Sequence, residues 1–403
     1  MKIGIDLKDL QSDSAYRGIG EVAKQVTNYL LPLLVNDKRI DEVTFFMYED
    51  KQEEALGMLD IPKQLTYNIK YYDPATLDLA RFQSLKNAFF PLRNQDVEQV
   101  DLFLSYSFLG YLPKSKNLYL VWYDLIPLVL HHMYFLWNNT GKISKIIKNS
   151  PFLMKLAYKV RKQRVKQELN KAKHLIAISE YTKQDLQRIF PELKIPIDVA
   201  FLGVSEKPAK TVNSLNETLP TKPYLLFVGG IDKKREIAPL IDQFNHLKEA
   251  GFDIQIVLAG KAFEDVEKIA ILNIKNAILM SPYRDDIINI GYISDEYKAK
   301  LYSNSLAFVY PTLYEGFGLP VLEAMLAKTL ILTYNNSSLP EVGGEYAFYA
   351  NDASELGDKI IEMYELPNEK RQQVIDESYE YAKQFTWAKT AQKYYEIMMK
   401  DFD

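Results

Sequence analysis

Short apolar runs alternate with helix-period stripes along nearly the whole chain, and no other feature limits its fold as strongly. Strands that alternate with helices return as parallel sheets joined by crossover helices. Lys2 to Asp6 reads as a first strand, and Ile19, Val22, Ala23, Val26, Leu30, Leu33 and Leu34 form a 3.6-residue stripe after it. Further strands are expected at Val43–Tyr48, Leu102–Tyr106, Leu118–Tyr123, His174–Ile178 and Asp198–Leu202. The pattern lapses between Val204 and Pro223, where SEKPAKTVNSLNETLPTKP is polar and holds three prolines. It restarts with YLLFVGG, DIQIVLAG, LAFVYPT and TLILTY, which predicts a second α/β domain. Asn368 to Asp403 reads as two helices.

Composition narrows the function classes. The 403 residues are 47% hydrophobic and 25% charged, enough for large cores. A net charge of −4 gives no reason to expect nucleic acid as a partner. The chain has no cysteine, which excludes disulfides and thiolate metal sites and fits a reducing cytoplasm. The first residues lack the apolar run of a signal peptide. Leu118 to Trp137 has the length of a membrane span, but Asp124, Pro127, His131 and His132 interrupt it. A central Asp costs roughly 2.5–3.5 kcal/mol in a bilayer, so this stretch is read as a buried strand followed by a loop.

The stretch YEGFGLPVLEAM, Tyr314 to Met325, carries the strongest chemical signal. Glu315 and Glu323 have seven residues between them, Gly316 and Gly318 included. The glycines fall after a strand that ends at Pro311 and before a helix expected to start at Pro320. Open α/β sheets bind ligands at that edge, and free amides with a helix dipole suit a phosphate. Glu323, expected in the first helical turn, can accept hydrogen bonds from a sugar diol. The bland alternative for either glutamate is a turn residue or a charge that complements the dipole.

This motif resembles the glutamate–seven–glutamate motif of retaining glycosyltransferases of family 4, and the resemblance runs along the chain. YRGIGEVAKQV, WYDLIPL, ISEYTKQDL, FVGGIDKKREI, INIGYISDEYKAKLY, NNSSLPEVGG and Phe385 to Met398 resemble further family segments in the same order. The subgroup it resembles builds bacterial surface polysaccharides, often as mannosyl- or rhamnosyltransferases. The resemblance implies the GT-B fold: two Rossmann-like α/β domains with parallel sheets facing a central cleft. It implies an acceptor-binding domain at 1–205, a nucleotide-sugar-binding domain at 222–384, and a helix at 385–403 packing back on the first domain.

The resemblance also implies roles. Glu315 should face the donor sugar and Glu323 the ribose. Gly316, Phe317, Gly318 and Leu319 should border the sugar and phosphate, and Ile293 should meet the base through its backbone. Gly18 and Gly20 should let backbone approach the diphosphate. Lys234 and Arg235, beside Gly229 and Gly230, should neutralise the leaving diphosphate, as fixed cations do where negative charge develops. Many family members carry Arg where this chain has Gly230, and the Lys–Arg order here is reversed relative to the subgroup. Asp124 should orient or deprotonate an acceptor hydroxyl. The preceding residue departs from the family, which usually has His where Tyr123 stands. No metal or other cofactor is expected, because the two cations do the work a metal would do; His131, His132, His174 and His246 form no ligand spacing, and Asp285-Asp286 is a weak metal signal.

Lys142 to Lys173 holds eleven Lys or Arg and one acidic residue, Glu168, with apolar residues interleaved. A segment of that kind either lies on an anionic membrane or forms a solvated helical face. The expected partners are therefore a nucleotide sugar, a glycan, lipid-linked or glycoprotein acceptor, and peripheral contact with the inner face of the plasma membrane. The alternative from another class is a non-catalytic GT-B subunit or chaperone partner of an active transferase.

Overall fold

The computed structural model describes residues 1–11, 15, 18–72, 100–107, 115–134, 150–205 and 218–402. The chain divides into two compact units, Met1–Gly203 with Phe385–Asp403, and Val204–Gln384. Most of the polar stretch 205–223 (residues 206–217) lies outside the described residues.

The first unit is built on a parallel sheet of β1 (Lys2–Asp6), β2 (Glu42–Met47), β3 (Tyr67–Tyr71), β4 (Leu102–Ser105), β5 (Leu118–Trp122), β6 (His174–Ala177) and β7 (Ile197–Val199). Its order is β3-β2-β1-β4-β5-β6-β7. Ile3 pairs with Val43 on one side and Leu102 on the other, which places β1 in the interior of the sheet. Strands β4, β5 and β6 are buried along their whole length. That explains their unbroken apolar runs, since both faces of a parallel sheet are covered. The Leu118–Trp137 stretch is accordingly not a span: β5 pairs with β4 and β6, and short helices follow at Ile126–Val129 and His131–Tyr134. Residues 135–137 lie outside the described residues. No helix among the described residues is long and apolar enough to cross a membrane.

Helix Gly18–Asn36 buries Val22, Ala23, Val26, Leu30 and Leu34 of the stripe read from the sequence, and Ile19 and Leu33 are half-buried at its margin. Against it packs the last helix, Trp387–Met399, which buries Trp387, Ala391, Tyr394, Ile397 and Met398. Gly203 lies against the start of that last helix. A Cβ there would fall 2.1 Å from the backbone nitrogen of Trp387, so no side chain fits.

The second unit is built on β8 (Tyr224–Val228), β9 (Gln255–Ala259), β10 (Ile287–Ile290), β11 (Ala307–Tyr310), β12 (Ile331–Tyr334) and β13 (Phe348–Ala350). All pairings are parallel, in the order β10-β9-β8-β11-β12-β13. In each sheet the order reverses once, between β1 and β4 and between β8 and β11. The strand ends at such a reversal splay apart and leave a crevice for ligand. Both units are thus Rossmann-like, as the resemblance implies, and their sheets are parallel, as the alternation predicts.

Helix Pro151–Leu169 holds most of the described part of the basic segment, and Ser150 caps it by accepting from the Leu153 N–H. Only Leu169 is buried in it, while Phe152, Leu156 and Val160 stand 74%, 49% and 40% exposed. Residues 142–149 lie outside the described residues.

Candidate active site

In the second unit the loops after β8 and β11 meet at the sheet's reversal. Lys234 and Arg235 come from the first loop and Glu315 from the second. Backbone pairing stitches the loops together: Leu313 N–H donates to Lys234 C=O at 2.8 Å and Glu236 N–H to Pro311 C=O at 2.8 Å. Of the Lys233-Lys234-Arg235 run, Lys233 is exposed while Lys234 is buried. A run of three basic residues ordinarily forms a solvated loop; here Lys234 is buried and Arg235 half-buried.

Glu315 Oε1 lies 3.0 Å from Lys234 Nζ and 3.8 Å from Arg235 Nη2. It also accepts from the Tyr310 hydroxyl at 3.0 Å and lies 3.2 Å from Thr312 Oγ1. Burial alone would raise the Glu315 pKa, but Lys234 and Arg235 outweigh it and hold the carboxyl below its ordinary value. The Arg235 guanidinium is fixed in turn. It donates to Tyr310 Oη at 2.7 Å and to Gly230 C=O at 3.2 Å, and it lies over the Tyr310 ring, 4.9 Å from the centroid. Gly229 makes room for it, since a Cβ there would fall 2.1 Å from Nη1. One carboxylate facing two cations leaves this corner with a net positive charge, in a place suited to an anion.

The glycine turn is held from behind. Ser337 Oγ accepts from Glu315 N–H at 3.0 Å, and Ser338 Oγ donates to the Glu315 and Phe317 carbonyls at 2.9 and 2.8 Å. Gly318 caps helix Leu319–Leu326 with φ +115°, a left-handed conformation that favours glycine. Gly316, Phe317 and Gly318 are buried, and Leu319 opens the helix. Glu323 is the fifth residue of that helix and so lies in its second turn, not the first. Its Oε2 accepts from Lys298 Nζ at 2.9 Å. Lys298 belongs to helix Asp295–Asn304, which follows Gly291-Tyr292-Ile293. Ile293 is half-buried there and Tyr292 is exposed.

In the first unit Gly18 and Gly20 lie in the opening turn of helix Gly18–Asn36, not in the loop before it. The first amides of a helix have no partner within it, and a Cβ on Gly18 would meet nothing within 4 Å. Residues 12–14 and 16–17 of that loop lie outside the described residues. Asp124 follows β5, and its Oδ1 accepts from Ile126 N–H at 2.9 Å, which fixes the turn into the next short helix. The Tyr123 hydroxyl is buried with no hydrogen-bond partner among the described residues. Burial, with Tyr394, Asp9 and Tyr106 nearby, raises its pKa well above the usual phenol value. Tyr123 therefore cannot serve as a base near neutral pH, as a histidine could.

Sequence reasoning missed one polar cluster at the β1–β4 reversal. Lys8 pairs with Asp6, Ser105 Oγ donates to Asp6 Oδ2 at 2.8 Å, and Ser107 Oγ donates to Asp9 Oδ1 at 2.9 Å. All five residues are buried. The available signal was the charged run Asp6-Leu-Lys-Asp9 at a strand's carboxyl end, where open sheets bind ligands. Among the described residues no group of three or more His, Asp or Glu is placed to hold a metal ion. Asp286, half of the acidic pair, is bound by Lys248 Nζ at 2.7 Å instead.

Residues 212–381 match the family described as glycosyl transferases group 1. This stretch is similar to a group 1 glycosyltransferase domain. It spans the loops holding Lys234, Arg235, Glu315 and Glu323. The chain is 28% identical over 232 residues to O-antigen chain mannosyltransferase B of Escherichia coli, covering 55% of this chain and 59% of the relative. The match thus spans less than two thirds of that relative's length. In structure it is similar to a sucrose-phosphate synthase from Thermosynechococcus elongatus, with TM-score 0.67 and 16% identity over 100% of this chain and 99% of the other. It is likewise similar to Anabaena HepE in complex with UDP-glucose, with TM-score 0.61 and 14% identity over 99% and 100% of the two chains. The fold is GT-B.

Proposed function

We propose that this chain is a retaining, metal-independent glycosyltransferase that moves a hexose from a nucleotide-diphosphate sugar to a hydroxyl of a glycan, glycolipid or glycoprotein acceptor in surface-polysaccharide synthesis. The observation that carries the proposal is the buried Glu315–Lys234–Arg235 corner at the β8–β11 reversal. A scaffold protein has no use for two desolvated cations beside a glycine turn and a helix N-terminus, which argues against the non-catalytic subunit. The likeness to an O-antigen mannosyltransferase and to a structure holding UDP-glucose supports the same reading.

In this reading the second unit binds the donor. Lys234 and Arg235 stabilise the diphosphate as it leaves, through charge placed before the reaction begins. The amides of Gly316, Phe317 and Gly318 face sugar and phosphate, with Gly229, Gly230 and Leu319 bordering them. Glu315 takes sugar hydroxyls and stabilises positive charge at the anomeric carbon. Glu323 takes the ribose and the Ile293 backbone the base. The first unit binds the acceptor, with Asp124 orienting its hydroxyl and the Gly18–Gly20 amides offering an anion site. The bond from anomeric carbon to phosphate oxygen breaks, the acceptor oxygen bonds on the same face, and its proton passes to the leaving phosphate. No strong protein base is needed, which fits Tyr123 standing where the family has histidine.

The exposed Phe152, Leu156 and Val160 recur at i, i+4 and i+8, with Lys155 and Lys159 beside them. We assign this face to an anionic lipid surface carrying the acceptor. Lys155→Glu with Lys159→Glu should abolish sedimentation with vesicles containing phosphatidylglycerol and leave donor binding intact. Equal sedimentation of the double variant removes the assignment.

The donor test is a thermal-shift panel of GDP-, UDP- and dTDP-sugars. A donor at 100 times its dissociation constant stabilises by about 2.7 kcal/mol. One nucleotide should raise the melting temperature selectively, followed by sugar transfer to a polysaccharide fragment. A panel in which nothing binds ends the proposal.

A further inference from the structure

Glu323 has a partner that the glutamate motif does not contain. Lys298 Nζ lies 2.9 Å from Glu323 Oε2 and 3.4 Å from Asp295 Oδ1. The two side chains are 22% and 37% exposed, and pairs of that kind add little to folding stability. Stability is thus a weak reason for a lysine here.

The groups left open have a definite pattern. Glu323 Oε1 accepts no hydrogen bond from the described residues. The Lys298 ammonium carries three N–H donors, of which two point at carboxylates. The couple therefore presents one charged acceptor and one charged donor side by side. A vicinal diol matches this pair: one hydroxyl donates to Oε1 while the oxygen of its neighbour accepts from Lys298. A single hydroxyl leaves one of the two charges unmet.

We infer that Lys298 and Glu323 act as one ribose-reading couple, and that this chain takes a ribonucleoside diphosphate sugar in preference to a 2′-deoxyribonucleoside one. The inference rests on the nucleotide-sugar reading above and deepens it by naming the donor class. Lys298 is here a specificity-determining residue. It stands on the helix after Gly291-Tyr292-Ile293, while Glu323 stands on the helix after the glycine turn. The couple also accounts for the position of Glu323 in the second turn. An anion-binding role would use the first turn's free amides, whereas a diol needs a side chain that a cation can orient.

The test is calorimetric titration of the full chain with UDP, 2′-deoxy-UDP, GDP, 2′-deoxy-GDP and dTDP. A hydrogen bond to a charged group is worth at least about tenfold in affinity. The wild-type chain should bind the ribonucleotide it accepts about tenfold tighter than its deoxy counterpart. Lys298→Met, which keeps the side chain's length but removes the charge, should shrink that ratio to within about threefold. Lys298→Arg should retain most of it. The ratio is taken within one variant, so a loss of folded protein does not alter it. Equal binding of ribo and deoxy forms by the wild-type chain overturns the inference, as does an unchanged ratio in Lys298→Met. If dTDP binds and neither UDP nor GDP does, the inference falls while the nucleotide-sugar reading stands; if none of the three binds, that reading falls and takes the inference with it.

Discussion

Glu315 keeps its charge in a desolvated corner only because Lys234 and Arg235 stand beside it. Removing one partner of a buried pair strands the other charge, at a cost of about 3–5 kcal/mol. Arg235 still faces Glu315 in Lys234→Met, so that variant should lower unfolding stability by no more than about the lower end of that range. Adding Glu315→Gln should return part of it, because the stranded charge is then gone. Urea denaturation of both variants checks this, and equal or additive losses would refute the coupling. Both variants should lose transfer, so stability and activity separate the pair's two roles. In the first unit, burial pushes the Asp9 carboxyl up to about 6, with Lys8 opposing and Asp6 adding to the rise. Its folded pKa exceeds the unfolded value near 3.8, so the folded state holds the proton more tightly. That stabilisation is complete below pH ~4 and is lost as pH rises through about 6. Asp9→Asn should flatten this fall in a pH series of urea unfolding, and parallel slopes would count against it. The cation pair was legible in the sequence because it follows a clear strand and glycine turn. The Asp6–Lys8–Asp9 cluster was not. Charged residues after a strand look solvated until Ser105 and Ser107, about a hundred positions on, fold over them.

At the scale of elements, the central strands could be read and the edges could not. The strands missing from the sequence reading are β3, β10 and β13, and each is an edge of its sheet. The remaining edge, β7, was placed at Asp198–Leu202 but runs from Ile197 to Val199. An edge strand has one neighbour and a half-solvated surface, so it needs no continuous apolar run. β3 shows this with Tyr67 and Tyr71 exposed. The boundary of helix Leu319–Leu326 belongs to the same scale. Gly318 sits at φ +115°, and an added Cβ would meet Leu339 Cδ2 at 3.3 Å. Gly318→Ala should cost about 1–3 kcal/mol in backbone strain. Gly230→Ala is the control, since a Cβ there meets nothing within 4 Å. It should leave the melting temperature nearly unchanged. Equal melting temperatures for the two variants would show that the left-handed turn is not what fixes the helix start.

At the scale of the whole molecule, the chain's first unit is discontinuous: it is finished by the last residues, Phe385–Asp403. The sequence announced the final helix but its packing partner came from the resemblance, because an amphipathic helix records that one face is buried and not against what. The structure gives the partner as helix Gly18–Asn36. Trp387, Tyr394, Ile397 and Met398 are each no more than 4% exposed there. Full burial of such a side chain contributes roughly 1.5–3 kcal/mol, so their combined contribution is comparable to a domain's net stability. A chain ending at Gln384 should then lose protection in helix Gly18–Asn36 and in β1 and β4. Strands β8 and β11 belong to the other unit and should keep theirs. Hydrogen exchange read segment by segment measures both at once. Equal loss in the two units, or none in either, would mean that the last helix is not part of the first unit's core.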